Sequence, residues 1–338
     1  MKKILYPFSI IYNFVSNLNR KFTKQQQLSS PVISVGNITW GGSGKTPVVL
    51  EIAKYILSLG KMPVILSRGY ARRENILNNV IVRDNEKIIS DICASGDEPY
   101  MMAQNIKCPI IIGRDRIQSA KLSQKFNPDV FILDDGFQHW KLKRDLDIVC
   151  INSLNPFGNN MIIPAGILRE KLTALKRADI VILTNANLCD DIKLKDIKKK
   201  VVSITGKGPL LSFCDNSNIT NMSDNSLTDI NDLKNKNIVM LCAIGSPDNF
   251  RNTIIKLGLN IKQEIILKDH HKYNYKDIGN ITAILTDDDV IVTTQKDSVK
   301  LKDVCDNKLR KKIYIVNISV DFNAGRTILE QHINKILF

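Results

Sequence analysis

The chain has 338 residues, more than one hydrophobic core usually serves, so two domains are expected. Its 43% hydrophobic and 24% charged content is that of a soluble globular protein and excludes collagen-like, disordered and disulfide-rich classes. A net charge of +14 favours anionic partners: nucleic acid, an acidic membrane surface or a phosphorylated substrate.

At the start, Ile4, Phe8, Ile11, Val15 and Leu18 recur at spacings of three and four, while Ser9, Asn13, Ser16 and Arg20 form another face. This predicts an amphipathic helix over residues 1–24, with Pro7 tolerated in its first turn and basic residues at both ends. The apolar run is too short and too interrupted to span a bilayer. No small-residue cleavage site follows, which argues against a signal peptide. The basic flanks and Tyr6, Phe8, Tyr12 and Phe14 suit a helix lying in a membrane interface. The alternative is a helix packed on its own domain. Gln25–Ser30 reads as a linker.

From Pro31 onward, strands and helices alternate. Val32–Val35, Pro63–Ser67, Pro109–Ile112, Val130–Leu133, Ile148–Ile151 and Ile180–Leu183 are short apolar strands, and Thr46–Leu59 is a helix stopped by Gly60. Continuous apolar strands between helices indicate a parallel sheet covered on both faces, with ligands at its carboxyl edge. Residues 25–200 are read as this α/β domain. Residues 201–235 are polar and read as a crossover, with Val201–Ile204 and Leu210–Phe213 as strands. A smaller C-terminal α/β domain over 236–338 starts at Ile238–Ile244 and continues with strands at Val290–Thr293 and Lys312–Ile318. Seven cysteines without a Cys-x-x-Cys pair point to a reducing compartment and away from structural zinc.

The chemistry concentrates after the first strand. Gly41-Gly42-Ser43-Gly44-Lys45-Thr46 joins strand to helix, the order that builds a phosphate cradle. Glycines let successive backbone N–H groups turn toward one anion, and the helix N-terminus adds its dipole. Lys45 would reach the β/γ-phosphates of a nucleotide and the Thr46 hydroxyl a magnesium ion. The stricter form of the motif wants a glycine where Thr39 stands. About 90 residues on, an apolar strand ends in Asp134-Asp135-Gly136-Phe137-Gln138-His139. Adjacent carboxylates repel unless a cation is near, so a magnesium site competes with a simple turn here. Asp97, in Ser95-Gly96-Asp97-Glu98-Pro99, reads either as a helix cap or as a base for an acceptor hydroxyl. Asp269-His270-His271, Ile163–Glu170 and Thr294–Lys300 read by default as polar loops.

Taken in order, these segments resemble the tetraacyldisaccharide 4′-kinase family, the lipid A 4′-kinases of Gram-negative bacteria. The resemblance rests on Gly36–Thr39 leading into Gly41–Pro47, on Leu66–Tyr70, Gly96–Pro99 and Asp134–His139, then on Pro164–Gly166 with Leu168–Glu170, Asp269-His270 and Lys296-Asp297. It implies ATP-dependent phosphorylation of the 4′-hydroxyl of an acylated glucosamine disaccharide 1-phosphate, with magnesium, in a cleft between two α/β domains. The enzyme would be peripheral to the cytoplasmic face of the inner membrane, with neither nucleic acid nor an obligate protein as partner. By motif, Thr39, Gly41, Gly42, Ser43, Gly44, Lys45, Thr46 and Lys296 match nucleotide contacts, and Thr46, Asp134 and Asp135 match the metal site. Asp97 matches the catalytic base and His270 its partner, with Lys45 as the catalytic cation. Arg169, Glu170, Gln138 and His139 match residues lining the substrate site. Gln295 departs from the family pattern, which has an acidic residue before Lys-Asp. The rival reading is a membrane-localising P-loop switch ATPase that regulates a partner. Its deviant loop would carry a lysine where Trp40 stands. A nucleic-acid-dependent ATPase rests on charge alone and lacks any recognised module.

Overall fold

The computed structural model describes residues 2–69, 79–215 and 218–338. Tyr70, which ends one of the matching motifs, and Asn216 in the polar stretch lie outside the described residues.

The first sheet has eight strands: β1 (Val32–Asn37), β2 (Pro63–Ser67), β3 (Val80–Arg83), β4 (Ile110–Ile112), β5 (Val130–Asp134), β6 (Leu146–Asn152), β7 (Ile180–Thr184) and β8 (Leu210–Leu211). Their order is β3-β4-β2-β5-β1-β6-β7-β8, parallel except for β3 against β4. β1, β2, β5, β6 and β7 are buried along their whole length, as their unbroken apolar runs require. β1 lies between β5 and β6, so the carboxyl ends of β1 and β5 are side by side, with Val35 opposite Asp134.

A two-stranded ribbon pairs β9 (Phe213–Asp215) with the late strand Ser319–Asp321. The second sheet contains β10 (Ile219–Asn221), β11 (Leu227–Thr228), β12 (Asn237–Cys242), β13 (Ile261–Ile266), β14 (Asp289–Thr294) and β15 (Ile313–Val316). Its order is β11-β10-β15-β14-β12-β13, with β13, β12, β14 and β15 parallel.

Three expectations change. Thr294–Lys300, read as a polar loop, is the buried helix Gln295–Leu301 capped by the Thr294 side chain. Val201–Ile204 is not a strand but the end of the helix Asp191–Thr205. Leu194, Ile197 and Val201 repeat at helical spacing on its buried face, Asp190 caps its start and Gly206 ends it in the left-handed region. The sheets also cut across the boundaries drawn at 200 and 236. Residues 201–235 supply β8 to the first sheet and β10 and β11 to the second. The chain then returns. Val320, Phe322, Leu329 and Ile333 pack into the core beneath β1, and the Tyr55 hydroxyl donates to Asn334 Oδ1 at 2.9 Å.

The N-terminal helix runs Lys2–Phe22. Its polar face, not its apolar one, meets the protein. Ser9 is only 4% exposed, and its hydroxyl donates to Ile162 O at 2.7 Å and accepts from Ala165 N–H at 3.1 Å. Phe8 (58%) and Phe14 (62%) face outward with Tyr6, Ile10, Ile11 and Val15. No helix among the described residues is long and apolar enough to cross a membrane.

Candidate active site

The glycine-rich loop leaves β1 and enters the helix Lys45–Ser58. Gly44 has φ +70°, and a Cβ there would meet Thr184 at 3.0 Å, so glycine is required both by conformation and by space. The loop is tied down by side chains. Asn37 Nδ2 donates to Ser43 Oγ at 2.9 Å, Thr184 Oγ1 to Ser43 O at 2.9 Å, and Asn152 Nδ2 to Gly42 O at 3.1 Å. Thr39, the apparent defect in the motif, forms a bridge with Leu168. Trp40 N–H donates to Ile167 O and Arg169 N–H to Ile38 O. The departure from glycine thus lies where the loop is stitched to the segment bearing Arg169 and Glu170.

Lys45 Nζ lies 3.3 Å from Ser43 Oγ and 3.4 Å from Asp135 Oδ1. Arg169 Nη1 contacts both Asp135 oxygens at 2.9 Å and Gln138 Oε1 at 3.2 Å. Gln138 Nε2 donates to Asn37 O and to Glu170 Oε1, both at 3.0 Å. Arg177 forks onto Glu170 at 3.1 and 3.0 Å and lies between the rings of Phe137 and Trp140, 4.5 and 4.9 Å from their centroids. Lys45, Asp135, Arg169, Gln138 and Glu170 therefore form one network. His139 does not join it. Burial and the positive charges of Arg116, Arg144 and Lys141 push its pKa down to about 4. Thr46 is half-buried at the helix start.

The adjacent carboxylates behave oppositely. Burial, reinforced by Glu98 and Asp135, raises Asp134 to about 6, although Lys45 and a 2.7 Å hydrogen bond from Ser67 pull the other way. Burial also opposes ionisation of Asp135, but Lys45 and Arg169 prevail and hold it at about 2. Asp135 adopts φ 55°, a left-handed turn conformation that Asp tolerates.

The second sheet brings its own residues to this edge. A Cβ on Gly42 would lie 3.8 Å from Ser246 Oγ, at the start of the helix Pro247–Lys256. His270 Nδ1 is 3.2 Å from Asp97 Oδ2, a contact between residues 173 positions apart. Asp97 is the first residue of the helix Asp97–Asn105, but it does not cap it: Gly96 holds the N-cap position without a side-chain bond, and the Asp97 carboxylate turns to His270 instead. Burial alone would raise its pKa, but the His270 hydrogen bond and the charges of Lys300 and Lys296 outweigh it and hold the carboxyl below its ordinary value. Lys296 Nζ lies 3.4 Å from His270 Nε2 and 3.5 Å from Asp269 Oδ1. Sequence reasoning gave no role to Asn37, Ser67, Arg177, Ser246 or Lys300. Asn37 and Ser67 lie within the quoted strings Gly36–Thr39 and Leu66–Tyr70 and Lys300 ends Thr294–Lys300, but Arg177 and Ser246 lie in none.

A strand–glycine loop–helix at the carboxyl edge of a parallel sheet, with two carboxylates on the neighbouring strand, defines a P-loop nucleotide-binding protein. Comparison with known proteins narrows the class. The family model for tetraacyldisaccharide-1-P 4′-kinase (LpxK) matches residues 1–337. The chain is 34% identical over 361 aligned residues to the tetraacyldisaccharide 4′-kinase of Halothermothrix orenii, spanning 99% of this chain and 93% of that protein. Identity to the Francisella tularensis subsp. novicida protein of the same name is 34%, over 96% of each chain. The crystal structure of LpxK from Aquifex aeolicus in complex with ATP aligns with a TM-score of 0.79 at 30% identity, over 100% of this chain and 99% of that one. The chain belongs to the tetraacyldisaccharide-1-P 4′-kinase family.

Proposed function

We propose that this protein transfers the γ-phosphoryl group of ATP to the 4′-hydroxyl of a tetraacylated glucosamine disaccharide 1-phosphate, giving the 1,4′-bisphosphate lipid A precursor. The observation that carries this reading is the Asp97–His270 contact, which joins the two α/β units beside the glycine loop. A switch ATPase needs no base for an acceptor hydroxyl. Family membership, and Trp40 in place of a deviant-loop lysine, also disfavour that alternative.

Phosphoryl transfer demands in-line positioning and charge neutralisation more than covalent chemistry. The backbone N–H groups from Gly41 to Lys45 and the Lys45 ammonium hold the ATP phosphates, with the helix dipole behind them. Thr46, Asp134 and Asp135 would hold magnesium. The donor set fits that ion: a hydroxyl and two adjacent carboxylates are hard oxygen donors, and magnesium takes one or two carboxylates with substrate phosphates and water. Such an ion would supply charge neutralisation for the nucleotide phosphates. Asp97 accepts the proton of the sugar hydroxyl, and His270 orients it. Lys296 contributes charge on the nucleotide side of His270. Arg169, Gln138 and Glu170 fix the wall of the acceptor site.

The N-terminal helix brings the enzyme to the lipid. Its outward apolar face supports a peripheral position on the cytoplasmic face of the inner membrane. Tyr12 of that helix feels both Arg169 and Glu170. Burial raises its pKa, Arg169 opposes this and Glu170 adds to it, and the Ser9 hydrogen bonds to Ile162 O and Ala165 N–H support the helix as a neighbour of the proposed acceptor wall. The test is whether ATP consumption requires an acylated disaccharide 1-phosphate and yields a 4′-phosphorylated product. Stimulation by DNA or by a protein instead overturns the kinase reading.

A further inference from the structure

Lys300 is a part of the contact between the two units that the mechanism above does not use. Its side chain is 5% exposed, and its ammonium lies 2.8 Å from Asp297 Oδ1 and 3.7 Å from Asp97 Oδ2. Asp297 is fully buried, and its other oxygen accepts from Ala243 N–H and the Thr294 hydroxyl at 3.0 and 2.8 Å. The Tyr273 ring lies 5.5 Å from the ammonium. A buried ion pair gives little net stability relative to apolar side chains of the same volume, so stability alone does not account for a lysine here.

Geometry does. His270 Nδ1 also approaches Asp97 at Oδ2. A hydrogen-bond contact from His270 and the Lys300 charge at 3.7 Å, an ion pair without a hydrogen bond, converge on one carboxylate oxygen, and among the described residues no hydrogen bond reaches the other. Lys300 lies one helical turn after Lys296 on Gln295–Leu301, a helix packed against Asp97–Asn105. One helix face thus addresses both members of the Asp97–His270 pair.

We propose that Lys300 is a positioning residue: with His270 it holds Asp97 by Oδ2 and leaves Oδ1 as the oxygen presented to the acceptor hydroxyl. This rests on the reading of Asp97 as the base. Asp97 belongs to the first unit and Lys300 to the second, so the clamp exists only when the two meet. Asp297 acts behind it, by fixing the ammonium.

A double-mutant cycle tests this, using ATP and detergent-dispersed tetraacylated disaccharide 1-phosphate. Lys300→Met should lower kcat on the order of 10- to 100-fold and leave KM for ATP within about twofold. In an Asp97→Asn background the same change should cost nothing further, because the group it acts through is gone. If Lys300→Met does not fold, Lys300→Met/Asp297→Asn removes both charges of the buried pair and carries the same expectations. Unchanged kcat, a rise in KM alone, an equal loss in both backgrounds, or recovery of full kcat in the Lys300→Met/Asp297→Asn variant overturns the proposal. Full activity of Asp97→Asn itself instead removes the base reading, and the proposal with it.

Discussion

Asp97 and Asp134 are both buried carboxyls beside cations, yet their environments drive them apart. Asp97 is held below its ordinary pKa by groups from another part of the chain, so as the proposed base it would act by placement more than by intrinsic basicity. Asp97→Asn should therefore lower kcat by roughly 10²–10⁴ while ATP affinity, measured by calorimetry, stays within a factor of two or so. Asp134 carries the opposite signature. Its folded pKa of about 6 lies above the ordinary aspartate value, so the folded state binds the proton more tightly. Stability from this group is present at low pH and is lost as pH rises through that window, roughly 2–3 kcal/mol in all. Without nucleotide or magnesium, Asp134→Asn should raise the thermal midpoint at pH 7.5 and leave it unchanged near pH 4. An equal shift at both values would refute the linkage. The sequence made both residues visible through their strings, Gly-Asp-Glu-Pro and Asp-Asp-Gly-Phe-Gln-His. It left Asp97 open between cap and base, because a helix cap and a base are the same residue type at the same position. It hid Lys300 and Arg177, whose roles come from partners distant in sequence or from stacking between rings.

Elements with one strong periodicity were legible, and those with mixed signals were not. The buried parallel strands announce themselves as apolar runs, and β1, β2, β5, β6 and β7 fall where those runs are. β13 was missed because it is mostly exposed and Lys262-Gln263-Glu264 interrupt its isoleucines. Val201–Ile204 misled because a short β-branched run at a helix end resembles a strand when its capping residues are ignored. The N-terminal helix was recognised, but its orientation could not be read from periodicity, which is the same whichever face meets the protein. Since Phe8 and Phe14 touch solvent, Phe8→Ser/Phe14→Ser should weaken binding to anionic liposomes in a sedimentation assay and leave the thermal midpoint within about 2 °C. A large drop in the midpoint would mean that those rings pack on the protein.

At the scale of the whole molecule, the chain leaves the first unit, builds the second and comes back. Composition suggested a clean boundary because the polar stretch after residue 200 resembles a linker, and no local signal marks the return. Phe322 is only 1% exposed and sits in the core under the glycine-loop helix, far from it in sequence. Phe322→Ala should cost about 3–5 kcal/mol in urea unfolding. The loss belongs to the transition that includes β1. If the two units separate in denaturation, a loss confined to the second would contradict the packing.

If the N-terminal helix seats the enzyme on lipid as proposed, its outward apolar face also alters what concentration means for this catalyst. A protein seated on a lipid surface samples its acceptor in two dimensions, so its rate follows the acceptor's share of that surface rather than its molarity in the tube. Diluting a fixed amount of acceptor with inert detergent should slow turnover even though the bulk concentration is unchanged, and shortening the helix should abolish that dependence. Its orientation, apolar side out, therefore decides the unit in which the substrate must be counted.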